Sequence, residues 1–313
     1  MNSVTIIRPK SHDEWLDIRR SGIGSSEVAS ILGLNPFETP YQLWRKKKGL
    51  DAPVAETFAM KAGHYLEDAV SRFWHDETGL DIIKRSSGDW IARDNARPFL
   101  QVSPDRTYWL SESRRPEDKG ILECKTTQKT IDGDDLPRHW FCQLQYQLGV
   151  AGYRQGSLAW LCAGREFGYK IIDFVPDFYD WMVGEVEKFW RDYIEGDAEP
   201  DAVDVSDAVI KYAGHTEGKA VEADGDVFAA YSELKGIKDQ LKSLNERKGE
   251  LEGLIKMSLK DAEVLNYGGT TIATWKTAKA SEKFDEAAFQ AEHQDLYQKY
   301  LTSVSGSRRL VLK

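Results

Sequence analysis

Two adjacent stretches of short, alternating apolar residues, FLQVSPDRTYWL and GILECKTT, carry charges where a half-buried strand should carry core. Asp105 closes one strand segment within the first, and eighteen residues later Glu123 and Lys125 stand two apart in the second. Two residues apart in an extended chain means one face of the sheet, so Glu123 and Lys125 look the same way. Two acids and an amine facing a core are costly to bury unless something compensates them. A cation does so: Asp105 and Glu123 each offer an oxygen to Mg²⁺, and the carbonyl of Cys124 between them offers a third. Any fold for this chain has to bring Asp105 beside Glu123 at a place an ion can reach.

The rest of the pattern suggests how. Ser11 opens a helix over 11–20, SSEVASILG reads as a second ending at Gly33, and a third runs from Thr39 and Pro40 to Gly49. Phe58, Leu66, Val70, Phe73 and Trp74 recur at helical spacing between Glu56 and Thr78, with Gly79 as the stop. Four strands then follow one another in LDIIKRS, DWIARD, FLQVSPDRTYWL and GILECKTT, separated by Ser-Gly, Asp and Arg-Pro turns. Pro137 to Gly152 is helical again, SLAWLCA and YKIIDFV are two more strands, and a helix spans Pro176 to Ile194. The class is α/β: a central mixed sheet flanked by helices over 1–200, with a C-terminal helical and β-hairpin extension.

An acidic, Gly-rich linker is expected at 201–225, and the extension fills 226–313. Within it Leu234, Ile237, Leu241, Leu244, Leu251 and Ile255 keep a 3-4 spacing that Lys248 interrupts and Gly236, Gly249 and Gly253 weaken. That suggests a helical hairpin or short coiled coil, packed on its own domain or on a neighbouring subunit. A hairpin turning at Gly268-Gly269, a short helix in FDEAAFQAEH and a final strand in SRRLVLK follow.

With 41% hydrophobic and 30% charged residues over 313 positions, the chain has the make-up of a folded domain rather than a disordered one. No apolar run approaches the roughly 20 residues of a membrane span, and the first residues lack a signal-peptide layout, so a cytoplasmic protein is expected. Cys124, Cys142 and Cys162 are too few and too far apart for a zinc or iron–sulfur site and read as reduced core thiols. The formal charge of −9 argues against a phosphate-rich partner, yet a carboxylate cluster for cations contributes to it. Basic residues also gather near the N-terminus, at Arg8, Lys10, Arg19, Arg20 and Arg45 to Lys48, although many such charges simply face solvent.

The Asp105, Glu123, Lys125 set suits phosphodiester hydrolysis. The metal neutralises a non-bridging oxygen and acidifies its water, and Lys125 orients or deprotonates that water, its pKa kept low by burial and by the ion. Glu67, in KAGHYLEDAV on the long helix, is a further carboxylate for a second metal or a metal-bound water; alternatively it pairs with a basic neighbour on a helix surface. Gln143, in HWFCQLQYQLG, can bond the lysine, the water or the phosphate, or lie on an ordinary amphipathic surface.

The succession WLDIRRSGIGSSEVASILGLNPFETPYQLW, GHYLED, SPDR, ILECKTT and CQLQYQLG resembles the YqaJ-type viral recombinase domain, the group that includes phage lambda exonuclease, over residues 10–195. The resemblance implies a restriction-endonuclease-like core and a processive exonuclease degrading the 5′-ended strand of linear duplex DNA. By motif it makes Glu67, Asp105, Glu123, Lys125 and Gln143 the catalytic positions. Arg19, with Ser26 beside it, matches the arginine that receives a 5′ phosphate, a role for which Arg20 remains open. Ser25, Ser26 and a Gly-rich helix start suit a terminal phosphate as well, unless Gly22 and Gly24 are a plain turn.

The reading is thus two-metal hydrolysis with Mg²⁺, replaceable by Mn²⁺, by a ring-shaped homotrimer that leaves 3′ single-stranded tails for a single-strand annealing protein in phage recombination. A structure- or site-specific endonuclease on the same core, and a DNA-binding module without catalysis, are the rival readings.

Overall fold

The structure, a computed structural model, describes residues 3–52, 57–83, 90–115, 117–303, 306 and 308–313, and only the backbone of His12. The expected Ser87-Gly88 turn lies outside the described residues, as does Pro116. The chain divides into two compact units, Met1–Lys211 and Tyr212–Lys313.

The first unit begins with strand β1 (Val4–Ile7), which the sequence reading passed over, and helix α1 (His12–Arg20). Ser11 caps α1 by accepting the Glu14 N–H, as a serine ahead of an acidic first turn favours. Helix α2 is a single turn, Val28–Ile31, shorter than the SSEVASILG pattern suggests. Helix α3 (Pro40–Lys47) starts in a capping box between Thr39 and Gln42. Helix α4 (Phe58–Thr78) and the later α5 (Arg138–Ala151) both end on a left-handed glycine, Gly79 at φ +69° and Gly152 at φ +74°.

After α4 come β2 (Ile82–Ile83), β3 (Ile91–Asp94), β4 (Gln101–Val102), β5 (Arg106–Trp109) and β6 (Lys119–Thr127). Helix α5, β7 (Gln155–Cys162), β8 (Glu166–Asp173) and α6 (Pro176–Phe189) complete the core, and α6 runs on into a π-helical turn at Trp190–Glu195. The central sheet has the order β2-β5-β6-β7-β8, with β6 and β7 parallel and the other neighbours antiparallel. Parallel neighbours need a crossover, and α5 is that crossover. The sequence α4, β2, β5, β6, α5, β7 is the restriction-endonuclease-like core that the resemblance implied.

The expectation of one continuous meander is corrected. Strand β3 pairs with β1 and β4 in a separate three-stranded sheet, and FLQVSPDRTYWL is two strands in two sheets. Pro104 breaks it: proline gives no N–H to a ladder and restricts the residue before it. The chain leaves one sheet there and enters the other at Asp105.

Strand β6 separates two apolar layers. Leu122 and Cys124 pack with Val70 and Trp74 of α4, whereas Ile121 packs with Trp140, Leu144 and Leu148 of α5. A third cluster joins Ile23, Leu43, Tyr146, Met182 and Val186 on the far side of α5. Nine of the 14 residues of α5 are therefore buried, including Gln143, Gln145 and Gln147, and buried amides have to find partners. The segment 201–225 is not all linker, because Val205–Lys211 forms helix α7. Its fully buried Asp207 accepts the Thr39 hydroxyl at 2.9 Å and the Val203 N–H at 3.2 Å.

In the second unit α8 runs unbroken for 35 residues, Gly225–Leu259, capped by Asp224. This corrects the helical hairpin: glycine weakens a helix, but without a proline nothing in the stretch ends it. Strands β9 (Val264–Tyr267) and β10 (Thr270–Thr274) turn at Gly268-Gly269 as expected, followed by α9 (Glu286–Glu292) and α10 (Gln294–Tyr300). No strand forms at 308–313, where the final one was expected, since a strand requires a neighbour to bond. Among the described residues no helix is long and apolar enough to cross a membrane.

Candidate active site

The last paired residues of β5 and β6 toward the site are Arg106 and Leu122, so β5 gives out just where Asp105 comes level with Glu123. Beyond that point β6 has a backbone neighbour only in β7. Asp105 fills the gap with its side chain, Oδ2 accepting the Cys124 N–H at 2.8 Å. An acid at the end of β5 is thereby held against the strand that carries Glu123 and Lys125.

Glu123, on the α5 side of β6, is 3% exposed and saturated with donors. Its Oε1 accepts from Lys125 Nζ at 2.8 Å and from the Gln143 amide, and its Oε2 accepts from Gln147 Nε2 at 2.8 Å. Lys125 Nζ also donates to Gln143 Oε1 at 2.8 Å. Of the two readings of Gln143, the bond to the lysine is the one that forms and the surface alternative falls away: the amide is buried and joins the acid to the amine.

Glu67 approaches from α4, with His64 Nδ1 at 3.1 Å and the Arg106 guanidinium at 3.9 Å from its carboxylate. Arg106 in turn donates to the Asp105 carbonyl at 2.7 Å. His64 is thus the basic neighbour of the surface alternative, yet Glu67 also belongs electrostatically to the acid group. Burial first, and the negative charges of Glu123 and Glu67 next, hold the Asp105 carboxyl well above the usual carboxylate range. Burial also raises Glu67, against His64 and Arg106.

At Lys125 the acids decide the direction, and a cation beside them would act in the opposite sense. Burial is the largest influence and pulls it down, but Glu123 and Asp105 outweigh it, and the ammonium sits above the ordinary lysine range. Burial likewise pushes Cys124 up, in keeping with a core thiol, and Cys142 and Cys162 are buried and unpaired too.

The donor types fit a hard divalent cation, since Glu67, Asp105 and Glu123 offer only oxygen and repel one another without one. Among the described residues, however, no group of three or more His, Cys, Asp or Glu is arranged to hold an ion as the side chains stand. The reason is visible at Glu123, whose carboxylate is committed to Lys125, Gln143 and Gln147.

The second predicted group lies at the N-terminal block. Arg19 donates to Ser26 Oγ at 3.0 Å, and its guanidinium rests 4.7 Å from the centre of the Trp15 ring. Arg20 points elsewhere, to an exposed pair with Asp17 at 3.1 Å. Ser25 accepts from Gln147 Nε2 at 3.2 Å, so one amide ties the Ser25–Ser26 turn to Glu123. Of the helix start expected to present N–H groups, α2 forms a single turn, and the Gly24 N–H is given to Glu27 Oε2 at 2.8 Å. Gly22 is a close approach rather than a hinge, because a Cβ there would lie 2.6 Å from the Phe99 carbonyl.

Three contributors escaped the sequence reading. Gln147 is one, although its spacing of four from Gln143 puts both on one helix face. The others are Glu27 and Lys47, a buried pair at 2.7 Å beneath Arg19. Burial acts against the charge of Glu27, but Lys47, Arg19 and Lys46 together hold its pKa down at about 2. Lys47 has one carboxylate against two cations, so burial leaves it lowered as well. Lys47 also donates to the Arg19 carbonyl at 2.9 Å. The other members of the basic run are engaged within the chain: Arg45 with Asp51, Lys46 with Glu38, Lys48 with the Ile194 carbonyl.

Comparison with known proteins bears on both groups. A model of the YqaJ-like viral recombinase domain matches residues 14–154, which include the Arg19 block, Glu67, Asp105, Glu123, Lys125, Gln143 and Gln147. The chain is 33% identical over 304 residues to YqaJ of Bacillus subtilis (strain 168), covering 92% of this chain and 90% of that one. Among solved structures it is similar to an alkaline exonuclease (LHK-Exo) from Laribacter hongkongensis, at TM-score 0.45, 16% identity, and 58% and 93% coverage. A phage related exonuclease from Haemophilus somnus 129PT gives TM-score 0.40 at 13% identity, with 56% and 94% covered.

Proposed function

The chain belongs to the YqaJ-like viral recombinase domain family, and from that premise we propose that it is a Mg²⁺-dependent exonuclease digesting the 5′-ended strand of linear duplex DNA. The observation that carries the proposal is the closed set Glu123, Lys125 and Gln143, each within hydrogen-bonding distance of the other two, with Asp105 fixed beside it on Cys124. Family membership supports a nuclease role, and the end preference rests on Arg19 and Ser26.

Asp105, Glu123 and the Cys124 carbonyl would hold the ion, and Glu67 would serve a second one or its water. When bound, Mg²⁺ supplies charge neutralisation at the scissile phosphate and an acidified water. To take part, Glu123 exchanges one of its donor bonds, which frees Lys125 or Gln143 to meet the incoming phosphate or water. Lys125 would then orient or deprotonate that water. Arg19 presents a planar fork to a terminal phosphate once it leaves Ser26. A single-strand annealing protein is the proposed consumer of the 3′ tails.

The test is nucleotide release from linear and covalently closed duplex, with 5′-phosphate or 5′-hydroxyl ends, in Mg²⁺ or Mn²⁺. Lys125→Ala is expected to lower release by about 10²-fold or more while the protein stays folded. Retained activity in Lys125→Ala would reject the site, and nicking of closed circles would reject an exonuclease in favour of an endonuclease.

A further inference from the structure

Helix α8 presents an apolar stripe that the rest of its own unit leaves open. Leu234, Ile237, Leu241, Leu244, Leu251 and Ile255 are all between 37% and 65% exposed. With Leu234 at a and Ile237 at d, Leu241, Lys248 and Ile255 are the next a positions and Leu244 and Leu251 the next d positions. The repeat is seven residues through three full heptads and the a position of a fourth, whose d is Ser258, the period of a left-handed coiled coil. The glycines obey it: Gly236, Gly249 and Gly253 fall at c, b and f, away from the seam, where a missing side chain removes no packing. What the unit does cover lies at e positions, at Leu259, the buried member of α8, and at Tyr231, whose hydroxyl donates to the Lys313 carbonyl.

The flanking charges choose a partner. In a parallel, in-register pair each g residue meets the e residue five positions on in the other helix. Glu233 then faces Lys238, and Arg247 faces Glu252, twice each by symmetry, with Gln240 opposite Asn245. Fully overlapped and antiparallel, the same helices set Glu233 on Leu254, Lys238 on Asn245 and Gln240 on Arg247, with no opposite charges matched. Sliding the antiparallel pair by one heptad matches one opposite pair and its symmetry mate, Glu233 with Arg247 or Lys238 with Glu252, but sets Lys238 on Lys238 or Arg247 on Arg247, whereas the parallel pair matches both kinds with no like charges opposed. Lys248 is the one charged residue at a, the device that fixes register at some cost in stability. Its ammonium already leans to the e flank, 3.4 Å from Glu252.

We propose that α8 pairs with α8 of a second copy of this chain in a parallel, in-register coiled coil. The pairing rests on α8 alone and stands apart from the reading of the site at Glu123. In full-length protein, Ile237→Cys is expected to form a covalent pair of chains under mild oxidation at micromolar concentration. Wild type, whose three cysteines are buried, and Lys242→Cys, at an outward b position, are expected not to. No more linkage in Ile237→Cys than in Lys242→Cys overturns the proposal. So does an unlinked Ile237→Cys when a mixture of Leu241→Cys and Leu244→Cys links hetero-pairs, the antiparallel signature.

Charge exchange gives a second readout that leaves the seam intact. Glu233→Lys with Arg247→Glu in one variant, and Lys238→Glu with Glu252→Lys in another, should each associate with themselves about tenfold or more weakly than with each other. Equal self- and cross-association in sedimentation, with helicity unchanged, overturns the pairing.

Discussion

Replacing Gln147 with leucine separates what the amide holds together from what the helix needs. The Nε2 donates to the Glu123 carboxylate at 2.8 Å and to Ser25 at 3.2 Å, while Oε1 is buried without a partner. Leucine keeps the volume and the apolar contacts of α5. It removes one bond to a charged acceptor, worth about 2 kcal/mol, and one longer bond to a hydroxyl, worth about 1 kcal/mol. Losing the orphaned carbonyl returns about 1 kcal/mol, so the net cost is about 2 kcal/mol. For a unit the size of Met1–Lys211 that lowers Tm by roughly 4–8 °C.

Tryptophan fluorescence reads this cleanly, because nine of the ten tryptophans precede residue 212 and only Trp275 follows it. Ser25→Ala supplies the partner for a double-mutant cycle, in which the coupling should be about 0.5 kcal/mol or more. A Tm within 1–2 °C of wild type in Gln147→Leu, or perfect additivity with Ser25→Ala, would refute the claim that this amide bridges the two groups.

Acid unfolding should carry the mark of Glu27. Its folded pKa, about 2, lies below the ordinary 4.5, so its contribution is complete above about pH 5 and disappears as pH falls toward 2. The depression corresponds to about 3 kcal/mol; Glu27→Gln should flatten stability against pH across that window, and an unchanged slope would contradict it. Gly149→Ala should destabilise even though alanine favours helix, since its Cβ would fall 2.2 Å from the Tyr179 ring; urea denaturation should read a loss of about 1–3 kcal/mol. Arg19→Ala should erase any preference for 5′-phosphorylated over 5′-hydroxyl ends with little change in stability, and a retained preference would move that role elsewhere.

What the sequence disclosed was local. The pleat of β6 put Glu123 and Lys125 on one face whatever their neighbours, and Thr39-Pro40, Gly79 and Gly152 marked helix ends through chemistry confined to a few residues. What it hid was non-local. Nothing in DWIARD says that it pairs with Val4–Ile7 and not with the strand after it. Gln147 and Lys47 look like surface residues until α5 is covered on three sides and Glu27 is folded beneath Arg19. The hairpin expected at 226–259 overweighted three glycines whose positions off the seam become plain only on one continuous helix.

Strand β6 is two interleaved lists. Leu122 and Cys124 belong to the packing against α4, and Ile121, Glu123 and Lys125 to the side of α5. A single inserted or deleted residue between Lys119 and Glu123 would exchange the lists, driving both charges under α4 and turning leucine and cysteine toward the glutamines. The ladder of β5 and β6 ends at Trp109 and Lys119, so the same length change in the turn between them shifts no side chain from one face to the other. A length change at 110–118 therefore costs the turn its own bonds, such as Leu110 N–H to the Asp118 carbonyl, and leaves the faces of β6 as they are, so the two-residue gap between acid and lysine records the geometry of a pleat as much as the demands of a metal.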